Sequence, residues 1–247
     1  MSNRTLTKQA DLNRLDPLLS PHRKPILLTD SKGFNLQSEV RINPETFIEF
    51  WARASLTIAD GLQYLKDNFQ KHINQLNPQT VTLFKWLGTC DLTYKPKHER
   101  FIYLKSKTNT IVNSVCRTLK EIHNFTKQFG SKVKAIFLHL PIHSIYHWNF
   151  HKQFGSGVWK FKNDDRLLRQ QIEVVNNYIN DLNRILHVHS PQFSIDLKNS
   201  HRRYLPTHSY TEYGYRFNCY KDGVPPKPLL AKLWLIRITR LLHDYCY

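Results

Sequence analysis

The chain has 247 residues, 40% hydrophobic and 13% aromatic, with only 8 glycines, which suits one sizeable core and excludes an internal linker or a solenoid of repeats. Thirty-six Lys and Arg against 19 Asp and Glu leave a formal charge of +17, which makes polyanions natural partners, nucleic acid first among them. No apolar run is long enough for a membrane span, and the N-terminus lacks a signal peptide's apolar core, so the expectation is a soluble protein of the cytoplasm or nucleus that does not engage membranes.

In chain order, residues 1–24 form a polar arm ending in His22-Arg23-Lys24, and one domain follows over 25–247. A buried strand is predicted over Pro25 to Thr29, a second near Phe47 to Ala52, and a helix over Ile58 to Ile73. Thr80 to Trp86 and Val133 to Leu140 are short apolar runs rich in branched and aromatic residues, as strands covered on both faces require. Between them Ile111, Val115, Leu119, Ile122 and Phe125 recur at helical spacing, giving a helix over Thr108 to Phe129. The same period predicts a helix over Asp164 to His187, a fifth strand follows at Gln192 to Leu197, and a closing helix begins after Pro225, Pro226 and Pro228. Strands alternating with helices define an α/β fold, a three-layer αβα sandwich around a flavodoxin-like five-stranded parallel sheet. Right-handed crossovers then gather every strand-to-helix loop on one edge, where ligands bind.

Three segments on that edge carry a resemblance. PILLTDSKGFNL places Ser31, with Asp30 before it, directly after the first strand; LGTCDLT places Gly88, Cys90 and Asp91 after the third; KDGVPPKPLL forms a turn before the closing helix. Their order and positions resemble the GDS, GxND and DxxH blocks of the SGNH (GDSL-like) hydrolases, and within that superfamily the chain is most similar to the esterase-like domains of invertebrate mobile elements, including first open reading frames of retrotransposons. The resemblance implies the SGNH fold, no cofactor and no metal, Ser31 as nucleophile, Asp222 as the acid that orients the base, and an oxyanion region built around Ser31, Ser55 and Cys90.

The chain departs from the pattern where the chemistry is most demanding. Serine hydrolysis needs a base for the hydroxyl proton, an acid behind it and donors aimed at the oxyanion. Pro225 stands where the resemblance implies the histidine, Cys90 stands in place of the asparagine, and Ala54-Ser55 lacks the glycine of the second block. A cysteine thiol is a poor donor, and losing one oxyanion donor costs about two to three powers of ten in rate. A degenerate site is therefore expected, lined by Asp30, Gly88, Asp91, His139 and His143, with Asp91 tying down its own loop. The alternative is an active esterase in which His139, His143, His147, His151, His201 or His208 supplies a displaced base.

Cys90, Cys116, Cys219 and Cys246 form no CxxC pair, and the run HLPIHSIYHWNFH has no acidic neighbour, so neither a zinc site nor a disulfide framework is expected, and Cys90 reads as an inert thiol. The segment 198–221 interleaves Lys198, Arg202, Arg203, Arg216 and Lys221 with Tyr204 and further aromatics, the composition of a sequence-tolerant nucleic-acid surface. Packed tyrosines with solvated charges would give the same composition. A third reading, an assembly scaffold that self-associates, would be favoured by an exposed apolar patch on the closing helix around Trp234 and Ile238.

Overall fold

The computed structural model describes residues 20–41, 44–75, 80–152, 161–204 and 209–247, with the side chains of 199–213 outside that description. Four parallel strands, β1 (Arg23–Thr29), β2 (Glu49–Ala52), β3 (Thr80–Trp86) and β6 (Val133–Phe137), form a sheet in the order β2-β1-β3-β6. Side chains alternate between its two faces, as strand geometry dictates. Ile26, Leu28, Leu83 and Phe137 join a core beneath α2 (Ile58–Gln75), α4 (Thr110–Lys127) and α6 (Phe161–Ile185). Leu27, Phe84, Trp86 and Ile136 face α1 (Lys32–Gln37) and the closing helix α7 (Pro228–Cys246). Smaller elements are α3 (Thr89–Leu92), β4 (Thr93–Tyr94), β5 (Tyr103–Leu104) and α5 (Ile145–Lys152). Among the described residues no helix is long and apolar enough to cross a membrane, and the four cysteines are free.

The chain leaves β1 for β2 on one side and returns past β1 to β3 on the other, so a topological switch point lies between β1 and β3. Crevices open at such points, outside the carboxyl ends of the strands. Two local devices fix this edge. Thr57 and Asp60 cap α2 reciprocally, the Asp60 amide donating to Thr57 Oγ1 at 3.1 Å and the Thr57 hydroxyl to Asp60 Oδ2 at 2.6 Å. Gly33 lets α1 press onto the sheet, since a Cβ there would lie 2.7 Å from that of Ala52 and 2.3 Å from Thr29 Cγ2.

The fifth strand predicted at Gln192 to Leu197 is absent: Phe193–Leu197 is a 3-10 turn, and among the described residues the sheet has four strands. Its work is done by side chains. Asn183 brackets Phe137, accepting from its amide at 3.0 Å and donating to its carbonyl at 2.7 Å, and Asn176 does the same for Leu140 at 2.7 and 2.9 Å. Ser190 and Ser194 accept from the amides of His139 and Ile142 at 2.7 and 3.0 Å. Backbone groups that a neighbouring strand would satisfy are thus met from α6 and the turn, which ends β6 at Phe137 rather than Leu140.

The expected loop from Lys198 is an antiparallel hairpin, β7 (Lys198–Tyr204) with β8 (Ser209–Tyr215). Residues 1–19 of the expected arm lie outside the described residues, whereas Arg23 and Lys24 are the first residues of β1. Arg23 bonds Thr82 Oγ1 and the Val81 carbonyl, and Lys24 pairs with Glu49 at 2.5 Å, so the arm's two expected cations serve the sheet. Trp234 and Ile238 are fully buried, Trp234 edge-on to Trp86, so the exposed apolar patch that would favour a scaffold is not at these residues.

Candidate functional site

Ser31 opens α1 directly after β1, with helical dihedrals (φ −56°, ψ −16°), and its hydroxyl makes no hydrogen bond with any described residue. Its neighbours carry the strongest electrostatic feature of the edge. Asp30 and Lys32 are 1% and 3% exposed and form an ion pair, with the Lys32 amide donating to Asp30 Oδ1 at 2.9 Å. The Lys32 ammonium also donates to Thr89 Oγ1 at 3.0 Å and lies 5.2 Å from the Trp86 ring centroid. Two ions so buried lose several kcal/mol each in hydration, recovered only through close pairing and added hydrogen bonds of this kind. Sequence reasoning missed Lys32 and Thr89. The signal was the Asp-x-Lys spacing beside the serine, which is too common to single out.

Gly88 turns the chain out of β3 at φ +127°, where a Cβ would also meet Leu140 at 2.9 Å. Burial, reinforced by the charge of Asp30, pushes the Cys90 thiol up to about 12, so it is protonated at neutral pH, as expected of an inert cysteine. Asp91 accepts the Ile58 amide with both oxygens, at 3.0 and 3.2 Å, fastening the start of α2 to this loop; burial pushes its carboxyl up to about 6. Ser55 is exposed in the loop after β2, in a left-handed conformation at φ 57°.

The two histidines expected to line the site part company. His139 turns to α6, its Nε2 2.7 Å from Asn180 Oδ1, and lines a separate cleft of about 300 Å³ with Arg169, Lys198 and Tyr215. His143 faces the site. It is buried, feels the charges of Lys32 and Asp30, and burial pushes its pKa down to about 4. With its Nδ1 3.3 Å from the Pro141 carbonyl, Nδ1 is the protonated nitrogen, and Nε2 is a buried acceptor without a partner.

The DGVPP turn docks on the start of α5. The Ser144 amide donates to the Gly223 carbonyl at 3.0 Å, and Gly223, at φ +102°, leaves no room for a Cβ, which would lie 2.7 Å from the Trp148 nitrogen. Asp222 lies 3.7 Å from the Lys152 ammonium through one oxygen, while its other oxygen is buried without a hydrogen bond. Pro225 stands two residues beyond Gly223 with its carbonyl accepting from the Lys221 amide at 2.9 Å. No described histidine hydrogen-bonds Ser31 or Asp222, and no metal-binding cluster of His, Cys, Asp or Glu occurs among the described residues. His201 and His208, the two remaining candidates for a displaced base, lie outside the described side chains.

Of the basic and aromatic residues, Lys198 and Lys221 are exposed at the two ends of the hairpin region and Arg216 is half-buried. Arg202, Arg203 and Tyr204 are on β7, their side chains outside the description. Tyr215 packs under the Arg169 guanidinium at 4.9 Å and Tyr220 is wholly buried, its hydroxyl bonded to the Ile142 carbonyl. These two aromatics are packing residues.

No protein-family model matches the sequence, and no curated protein matches it. Solved structures do. A GDSL-like lipase from Bacteroides thetaiotaomicron superposes over 98% of both chains with a TM-score of 0.55 at 12% identity. A lipase/acylhydrolase from Enterococcus faecalis matches 91% of this chain and 97% of its own with a TM-score of 0.54 at 14% identity. An acetyl xylan esterase matches 88% and 98% with a TM-score of 0.53 at 12% identity. The fold is therefore that of the GDSL (SGNH) hydrolases, an α/β domain with a parallel sheet between helical layers.

Proposed function

We propose that this chain is a catalytically degenerate SGNH-fold domain that acts by binding a polyanion, nucleic acid first, in the mobile-element setting its sequence resembles. One observation carries the loss of catalysis: among the described residues the Ser31 hydroxyl has no hydrogen-bonded base, and the acid that should hold one, Asp222, faces Lys152 instead. A fold does not bring its family's chemistry with it, and the triad works only as a hydrogen-bonded unit. The binding half rests on the charge of +17 and on the exposed Lys198 and Lys221 flanking the hairpin.

A second reading, an active ester hydrolase, is favoured by His143, whose unpartnered Nε2 lies within the field of Asp30 and Lys32. Fluorophosphonate labelling of the wild type and of Ser31→Ala, beside turnover of an activated acetate ester, separates the two. The proposal expects neither labelling nor turnover above the mutant. Labelling that disappears in Ser31→Ala and falls in His143→Gln would establish the hydrolase.

A further inference from the structure

At the opposite end of the sheet, where β1 and β6 begin, α4 and α6 leave an open cleft of about 590 Å³. Its cations are Arg23, Lys127 and Lys134, with the imidazole of His123 beside them, its apolar wall includes Val133 and Ile185, and no acidic side chain among the described residues lines it. Ile185 is 67% exposed at the rim, an uncovered apolar surface beside concentrated charge. We propose that this cleft binds a small organic phosphate, a dianionic head among Arg23, Lys127 and Lys134 within reach of the His123 imidazole, with an apolar or planar body against Val133 and Ile185.

The lining groups already feel one another. Burial and then the charge of Arg23 depress Lys134, and burial followed by Lys85 and Lys127 depresses His123. In both groups burial is the larger cause and the neighbouring positive charges add to it. Arg23 is preorganised, because Nε is held by Thr82 Oγ1 at 3.2 Å and Nη2 by the Val81 and Ser131 carbonyls at 2.9 and 3.2 Å, leaving Nη1 unspent. The buried Nδ1 of His123 has no hydrogen-bond partner. A single carboxylate would leave two of the three positive charges uncompensated, whereas a phosphate monoester leaves one. The volume exceeds the roughly 300 Å³ at which ligand pockets begin, so the site has room for a body as well as a head.

Adenosine monophosphate and uncharged adenosine are the probes, titrated into the full chain by calorimetry and by the histidine NMR signals, with His123→Gln assigning that resonance. The phosphate is expected to bind saturably and to move the His123 signal, while adenosine does neither. Lys127→Gln with Lys134→Gln should weaken binding at least about tenfold. Lys127 is fully on the surface, so Lys127→Gln alone, expected to cost at least about threefold, carries the test should the double variant unfold. No saturation by about 5 mM, equal binding of adenosine, or affinity unchanged in the lysine variants overturns the proposal. Lys198→Gln with Lys221→Gln is expected to leave adenosine monophosphate binding intact, which separates this site from the polyanion surface; equal losses there and in the lysine variants would show nonspecific charge attraction and overturn it.

Discussion

Lys85 is the residue least at ease in this fold. It points from near the carboxyl end of β3 into the core, 3% exposed, its ammonium 3.5 Å from the Phe137 ring centroid and without a hydrogen-bond partner. Burial drives its pKa well below the ordinary lysine value. The unfolded chain holds that proton up to pH about 10. Folding therefore releases a proton between the folded and the unfolded pKa, and stability falls as pH drops through that window and rises as pH climbs. Lys85→Met should raise stability near neutral pH by on the order of 1–3 kcal/mol and flatten its rise with pH, read by urea denaturation from about pH 6 to 9. An unchanged slope would show that the lysine is not the titrating group. The Asp30–Lys32 pair is its opposite, two charges equally deep but each answered, and this contrast was invisible in a sequence that shows both lysines simply as positive charge.

At the level of elements, the replacement of a strand by asparagines is the main departure from expectation. Asn183→Leu removes both bonds to Phe137 and leaves a buried amide and carbonyl unmet; a loss of about 2–4 kcal/mol is expected in thermal or chemical denaturation, against near neutrality for a solvent-facing control such as Glu173→Gln. The long elements were legible because their period is strong: Thr80 to Trp86 matches β3 residue for residue, and Ile58, Thr110 and Phe161 begin helices within three residues of where the apolar repeat starts. Gln192 to Leu197 misled because an alternating apolar run fits a strand and a 3-10 turn equally well, and only the asparagines of α6, on a helix face that reads as polar surface, decide between them. The hairpin from Lys198 was missed for the converse reason, as strands rich in charge and tyrosine give no alternating hydrophobic pattern. At the candidate site, the positions of Ser31 after β1 and of Gly88, Cys90 and Asp91 after β3 were legible from the strand pattern. Lys32 and the turning away of His139 depend on packing across elements, which no local motif encodes.

For the whole molecule, the charge of +17 is the property most open to measurement. Binding of a single-stranded oligonucleotide should weaken steeply with salt, log K falling against log salt with a slope of about −0.7 per phosphate neutralised. Lys198→Gln with Lys221→Gln should reduce the magnitude of that slope by roughly one or more, measured by fluorescence anisotropy between about 50 and 200 mM salt. A flat salt dependence would remove the polyanion from the proposal while leaving the fold untouched. The asparagine border of β6 also governs how copies of this domain can meet. A sheet grows by offering unspent amides and carbonyls to the next strand, and at the Phe137 end of this edge they are already spent on Asn183. A second copy pairing along the whole of β6 would have to displace Asn183 from Phe137, whereas β2, at the other edge, has four residues, Glu49–Ala52, too short a seam to hold without help from the surfaces around it.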